Sequence, residues 1–282
     1  MRALNIRGDY ADAYAVFAAK TYPLGTRMHL PDRRVFRYAL AGASALTVAR
    51  VLQSARQDEA LVDVPIASGR TNARVLPLHL NSAKSIPART YESGLLYVND
   101  GTGEGYVYPV ADNTPLYPGS ANAQLLVYLD VDFYTTPVSS TRVTLLRNRY
   151  SAVTQADNPP RSAVVGITSV AVPVSNYFWL QTSGPVAALQ QDDLEVYLPV
   201  RASHVTSGAV ELATTTVPTN VLSERYSEDA IVVENALGDE GGPANRRISR
   251  RSGIGVVSSI EIGYVLNARE HGQHCLVQLT LE

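Results

Sequence analysis

Only one of the 282 residues is a cysteine, Cys275, and only two are lysines, Lys20 and Lys84. The single thiol excludes an intrachain disulfide and a cysteine-built zinc knuckle, so stability has to come from packing or assembly. Charge is sparse as well. Asp, Glu, Lys and Arg make up 18% of the chain, and 24 basic against 26 acidic residues leave a formal net charge of −2. That balance does not raise the broad positive field that binding along a phosphate backbone requires, so no direct nucleic-acid partner is expected. No apolar run reaches 18 residues, and the start, Met1-Arg2-Ala3-Leu4-Asn5-Ile6-Arg7, lacks the continuous apolar core of a signal peptide. The expectation is a soluble chain made in a cytoplasm, without a membrane partner. Fixed-period repeats and coiled-coil heptads are also missing, which argues against a solenoid or a helical stalk.

What the chain does contain is a globular share of hydrophobic residues, 45%, under a lightly charged surface, and a length that suits one large β domain or two ordinary ones. Twenty-two of its 24 basic residues are arginine. Arginine forks pair bidentately with carboxylates and tolerate burial at interfaces, so the skew fits a protein rich in subunit contacts; an arginine-favouring codon bias produces the same skew.

Residues 9–20 are Ala-rich with Tyr10 and Tyr14 at i,i+4 spacing, which predicts a short helix or arm with both rings on one face. Residues 22–38 read as strand, Pro31-Asp32 turn, strand, a hairpin. Residues 39–56, Ala-rich with Leu46 and Leu52, suit a helix or a connector. From Leu61 onward short Val, Ile, Thr and Tyr runs alternate with turn residues. The fold class is therefore mainly β, a barrel or sandwich body behind an Ala-rich N-terminal arm or helical segment. Strand-like runs fall at 94–99, 105–110, 124–130, 140–146, 163–170, 177–182, 194–199, 230–234, 255–266 and 275–281. The turn-rich stretch 151–161 supplies an internal boundary. The domain reading is an arm over 1–60, a β domain over 61–157, and a second β portion over 158–282 that could run on from the first.

Candidate chemistry is thin, and no catalytic residue, metal or cofactor is expected. Asp130 and Asp132, two apart on a strand, put two carboxylates on one face; a solvated strand face does the same, and a glycan-cutting role is the enzymatic alternative. His271, His274 and Cys275 hint at soft metal ligation, but i,i+3 on a strand points to opposite faces and Gly272 disfavours the helix that would join them. Gly101, Gly103 and Gly105 lie between strands rather than opening a helix, and read as turn geometry. Asp192 and Asp193 read as a turn. Arg246, Arg247, Arg250 and Arg251 follow an acidic step in a Gly/Pro-containing loop, either a solvated loop or a docking element. Trp179 sits in four consecutive bulky residues, which predicts a core or subunit-interface position.

Two stretches carry a resemblance. Pro23-Leu24-Gly25-Thr26-Arg27 through Arg34-Val35-Phe36-Arg37-Tyr38-Ala39, with the Ala-Gly-Ala-Ser-Ala-Leu that follows, resembles the start of tailed-phage head decoration, or capsid cement, proteins. Gly166-Ile167 through Tyr177-Phe178-Trp179-Leu180-Gln181-Thr182-Ser183-Gly184-Pro185 resembles a strand pair of the same proteins. The resemblance implies a β-rich, commonly trimeric subunit that sits over junctions of the major capsid protein and stabilises the shell. The expected function is thus a non-enzymatic virion protein on the capsid surface, binding the major capsid protein and itself. Tyr10, Tyr14, Arg33, Arg34, Arg37, Trp179, Arg246, Arg247, Arg250 and Arg251 are the candidate interface residues. The alternative is a tail or fibre protein that binds a host surface glycan, with Trp179 and the tyrosines in contact with sugar.

Overall fold

A computed structural model describes residues 4–67, 73–80, 85–117, 124–191, 193–213, 261–270 and 272–281. The chain divides into two units, Met1–Leu212 with Ile262–Glu282, and Ala213–Glu261, and almost all of the described residues belong to the first.

Three successive stretches build that unit. The first contributes β1 (Asn5–Arg7), β2 (Val16–Phe17), β3 (Arg27–His29), β4 (Val35–Leu40) and β5 (Val51–Gln53). The middle contributes β6 (Val64–Pro65), β7 (Val75–His79), β8 (Leu95–Asp100), β9 (Val107–Asn113), β10 (Gln124–Leu129) and β11 (Arg142–Leu146). The last contributes β12 (Thr154–Gln155), β13 (Val164–Thr168), β14 (Tyr177–Leu189), β15 (Pro199–Ala202), β16 (Val210–Leu212), β17 (Gly263–Asn267) and β18 (His274–Thr280). The fold is mainly β, and the middle stretch forms its own six-stranded sheet, ordered β6-β11-β8-β9-β10-β7. An Ile66–Leu78 bridge and the Ala67 N–H donating to the Pro77 carbonyl bring its two edges together, so this sheet is nearly closed and barrel-like. Closure removes the unpaired edges that invite aggregation.

Alternation explains the barrel. Leu96 and Val98, Tyr108 and Val110, and Leu125, Val127 and Leu129 point inward and pack with Leu76, Leu78 and Leu145, as a period of two requires. The β8–β9 connection passes through Gly101, Gly103 and Gly105, all at φ between 82° and 90°, a left-handed run that glycine adopts without a Cβ penalty.

The other twelve strands form one sheet with β14 as its spine. The first half of β14 pairs with β4, Trp179 opposite Tyr38, and the second half with β18, Val186 opposite Val277. The register shifts between Gln181 and Ser183, and Gly184 follows at φ 90° with room for a Cβ only 3.1 Å from Arg34 Cα. Gln181 Nε2 donates to the Ser183 and Pro185 carbonyls and ties off the backbone there. One strand can therefore bend and serve two packing layers. On one side lies an aromatic core of Phe36, Tyr38 and Trp179 with Met28 and Leu24. On the opposite face of the strand's first half Phe178 and Leu180 pack with Leu46, Leu52, Val153 and Val165, and the second half carries an aliphatic core of Val186, Val200, Val265, Val277 and Leu279.

Three expectations need correction. No Ala-rich helical arm is present. Residues 9–20 hold one 3-10 turn, Asp12–Tyr14, followed by β2. Asp9 Oδ1 accepts the N–H groups of Ala11 and Asp12, and Asp12 Oδ2 accepts that of Asp9; this local bonding competes with a longer helix. Residues 39–56 are extended, with Ala41 bridged to Val153, Leu46 to Val172, and β5 between β12 and β13. Small residues there permit close approach, since a Cβ on Gly42 would lie 3.2 Å from the Val153 carbonyl oxygen, and sheet pairing overrides intrinsic helix propensity. Finally, the strand expected at 194–199 begins only at Pro199, after a turn in which Tyr197 takes φ 69°.

Candidate functional site

The β3–β4 hairpin positions the first cluster of surface groups. Its turn closes through the Arg33 N–H on the Leu30 carbonyl and the Leu30 N–H on the Arg34 carbonyl, with Arg33 exposed at φ 69°. Arg34 Nε donates to Asp32 Oδ2 at 2.7 Å, and its guanidinium carbon lies 6.0 Å from the Tyr10 ring centroid and 5.8 Å from that of Phe36. The Tyr14 side chain hydrogen-bonds to the same guanidinium. Partial burial opposes the charged form of Arg34, but Asp32 and Tyr14 outweigh it and push its pKa further up. Tyr10, Tyr14 and Arg34 therefore meet in one amphipathic patch, with both tyrosines more than half exposed. The helix expected to align the two rings is absent; the 3-10 turn and the hairpin tip bring them together instead.

The remaining sequence candidates separate. Arg37 turns away from the patch and donates through Nη1 to the Gly25 carbonyl at 3.2 Å. Trp179 is 1% exposed, with Tyr38 at 5.0 Å and Tyr22 at 5.3 Å between ring centroids. It belongs to the core and is unavailable to a partner or a sugar. Asp130 and Asp132 follow β10 rather than lying on it, and Asp132 pairs with Arg74 at 2.5 Å. Arg246, Arg247, Arg250 and Arg251 lie outside the described residues, as do His271, Asp192 and the strand expected at 230–234. Among the described residues no cluster of three His, Cys, Asp or Glu side chains is placed to hold a metal ion. Burial pushes the Cys275 thiol up to about 11, so it is a poor nucleophile at neutral pH.

Ser, His and Glu side chains do converge at the β15–β16 turn. Glu211 Oε1 accepts from Arg201 Nε at 2.9 Å and meets His204 Nδ1 at 2.8 Å, while Oε2 accepts the Ser203 hydroxyl at 2.9 Å and the His204 N–H at 3.0 Å. The Ser203 oxygen itself accepts the N–H groups of Val205 and Thr206. Its proton and lone pairs are thus committed to the loop, and the constellation acts as a staple for residues 203–206. Burial alone would push Glu211 up; the His204 bonds, the Ser203 bond and the Arg201 charge more than offset it and hold the carboxyl below its ordinary range.

The second surface was not singled out from sequence. Outward positions on three neighbouring barrel strands carry Leu95 and Tyr97, Val107, and Tyr128, each at least 37% exposed. Tyr97 lies directly opposite Val107, and Leu95 opposite Pro109. Beside them Tyr134, 82% exposed, rests against Tyr106 with 5.4 Å between ring centroids, and Phe133 packs edge-on against Tyr108. One signal was readable: in 95–98 and 107–110 both alternating sets are apolar, whereas a half-solvated strand alternates apolar with polar. Comparison with family models, curated proteins and solved structures returns no match.

Proposed function

We propose that the chain is a non-enzymatic structural protein of a tailed-phage virion, a homotrimer that decorates and stabilises the capsid by binding over junctions of the major capsid protein. The observation that carries this reading is the outward apolar band Leu95, Tyr97, Val107 and Tyr128 on the barrel. Large apolar side chains exposed on neighbouring strands mark a candidate contact surface, and tyrosines give large amphipathic contact area for few rotatable bonds. The Tyr10–Tyr14–Arg34 patch offers a second contact of the tyrosine and arginine chemistry that interfaces favour. The resemblance of the stretches Pro23–Leu46 and Gly166–Pro185 to head decoration proteins also supports the reading.

The exposed Tyr106–Tyr134 pair favours one second reading, a tail or fibre protein that stacks a host glycan on aromatic rings. Co-sedimentation separates the two. The chain should pellet with capsid shells stripped of it, and a Tyr97→Ser/Tyr128→Ser variant should stay in the supernatant while retaining its melting transition. Unchanged pelleting of that variant removes the barrel face from the account. Saturable binding to isolated host envelope, without binding to shells, selects the second reading.

A further inference from the structure

A cleft of about 670 Å³ lies between the barrel and the twelve-stranded sheet, and five arginines line it: Arg37, Arg56, Arg147, Arg149 and Arg161. No carboxylate is among its described lining residues. The arginines come from β4, from the connection after β5, from the segment after β11 and from the turn before β13. The fold, not a run of charge, therefore assembles them, in a chain whose formal net charge is −2.

Their neutralisation is incomplete. Asp157 Oδ2 accepts Arg56 Nη2 at 2.7 Å and Gln53 Nε2 at 2.8 Å. These bonds, with the nearby charge of Arg161, hold its carboxyl below the ordinary range. Arg149 and Arg147 instead lie over rings, each with its guanidinium carbon 5.4 Å from a centroid, those of Tyr150 and Tyr91. Among the described residues neither of these two has an ion pair, and the buried Arg147 Nε has no hydrogen-bond acceptor. Arg147 also lines two neighbouring cavities, one with Asp58 and Asp157 and one with Glu92. Five arginines against Asp58, Asp157 and a Glu92 already paired with Lys20 and Arg89 leave a local excess of positive charge. Like charges gathered at the edge of a low-dielectric cleft repel, and an anion relieves that repulsion. Planar guanidinium forks suit the paired oxygens of phosphate and carboxylate groups. Leu24, Leu95 and Leu146 give the cleft an apolar portion as well, and its volume is that of a small-molecule site.

We propose that this cleft binds a small polyvalent oxyanion, phosphate-bearing or polycarboxylate, with Arg147 and Arg149 as direct contacts and Arg37, Arg56 and Arg161 supplying the surrounding positive field. The cleft shares only Leu95 with the proposed capsid-binding band, and the argument for it does not rest on that role.

Titration calorimetry on the full chain at fixed ionic strength tests it, with pyrophosphate and citrate as probes and acetate as the monovalent control. At least one polyvalent probe should bind with one site per chain, and acetate should not. Pyrophosphate alone binding identifies a phosphate site; citrate alone identifies a polycarboxylate site; both identify a site that reads charge only. Arg147→Gln should weaken binding at least tenfold. Because Arg147 is half-buried and its replacement could impair folding, the exposed pair Arg149→Gln/Arg161→Gln provides the same test in a folded protein, and Arg7→Gln on β1 should leave affinity unchanged. Absence of binding by both probes at millimolar concentration, or equal affinity in Arg149→Gln/Arg161→Gln, overturns the proposal.

Discussion

In the larger sheet Phe36, Tyr38, Phe178 and Trp179 lie inside at 1% exposure or less, whereas in the barrel Tyr97, Tyr106, Tyr128 and Tyr134 face outward at 37% or more. Both regions are built from similar strand text, so composition alone does not decide where an aromatic ring goes. The barrel fills its small interior mainly with Leu, Val and two tyrosines; Phe133 packs partly against that core, and Tyr97, Tyr106, Tyr128 and Tyr134 stay outside it. The sheet packs Tyr22 and Tyr38 on Trp179, stacks Tyr177 on Tyr38, and gathers these rings with residues of β3, β4 and β14. Buried rings therefore stabilise the sheet from within, while the four outward barrel tyrosines, like Tyr10 and Tyr14 beside the β3–β4 hairpin, are available to a partner.

Substitutions sharpen this contrast in order of size. Trp179→Ala should cost the most, about 3–5 kcal/mol, through lost transfer energy and an unfilled cavity; chemical denaturation checks it, and a cost below about 1 kcal/mol would mean that the ring is not core. Glu211→Ala, which strips the 203–206 staple and leaves Arg201 unpaired in a half-buried site, should cost about 3 kcal/mol at neutral pH. The pH dependence has a definite sign. The folded-state pKa of Glu211 is depressed, so its contribution is fully present above the unfolded-state value and disappears as pH falls through the folded one. The variant should show a flatter acid limb in its stability profile; an unchanged limb would contradict the assignment. Arg34→Ala, at a pair whose members are 16% and 33% exposed, should cost at most about 1 kcal/mol. Smallest of all, Tyr97→Ser/Tyr128→Ser should shift stability by about 0.5 kcal/mol or less per site. A loss of several kcal/mol there would make these rings structural and erase the contrast.

The barrel strands were legible because short runs of strand-forming residues bounded by turn residues mark them locally. The runs at 94–99, 105–110, 124–130 and 140–146 correspond to β8, β9, β10 and β11 within three residues at each end. The hairpin at 22–38 was legible from its Pro-Asp turn. The Ala-rich segments were misread because propensity is local and their partners are distant: β5 pairs with residues 154–155 and 164–167. Meeting points of side chains were the least legible. The i,i+4 spacing of Tyr10 and Tyr14 pointed to a helix that is absent, and nothing in it pointed to Arg34. The arginine cleft draws from positions 37 to 161, and the only trace of it in the sequence is the preference for arginine over lysine.

Cryo-electron microscopy of purified particles tests the central claim most directly. The account predicts trimeric density at regular positions over junctions of the head lattice, with Leu95, Tyr97, Val107 and Tyr128 buried against the major capsid protein. Particles whose heads lack the chain, or carry it with the barrel's tyrosine face turned to solvent, would contradict it.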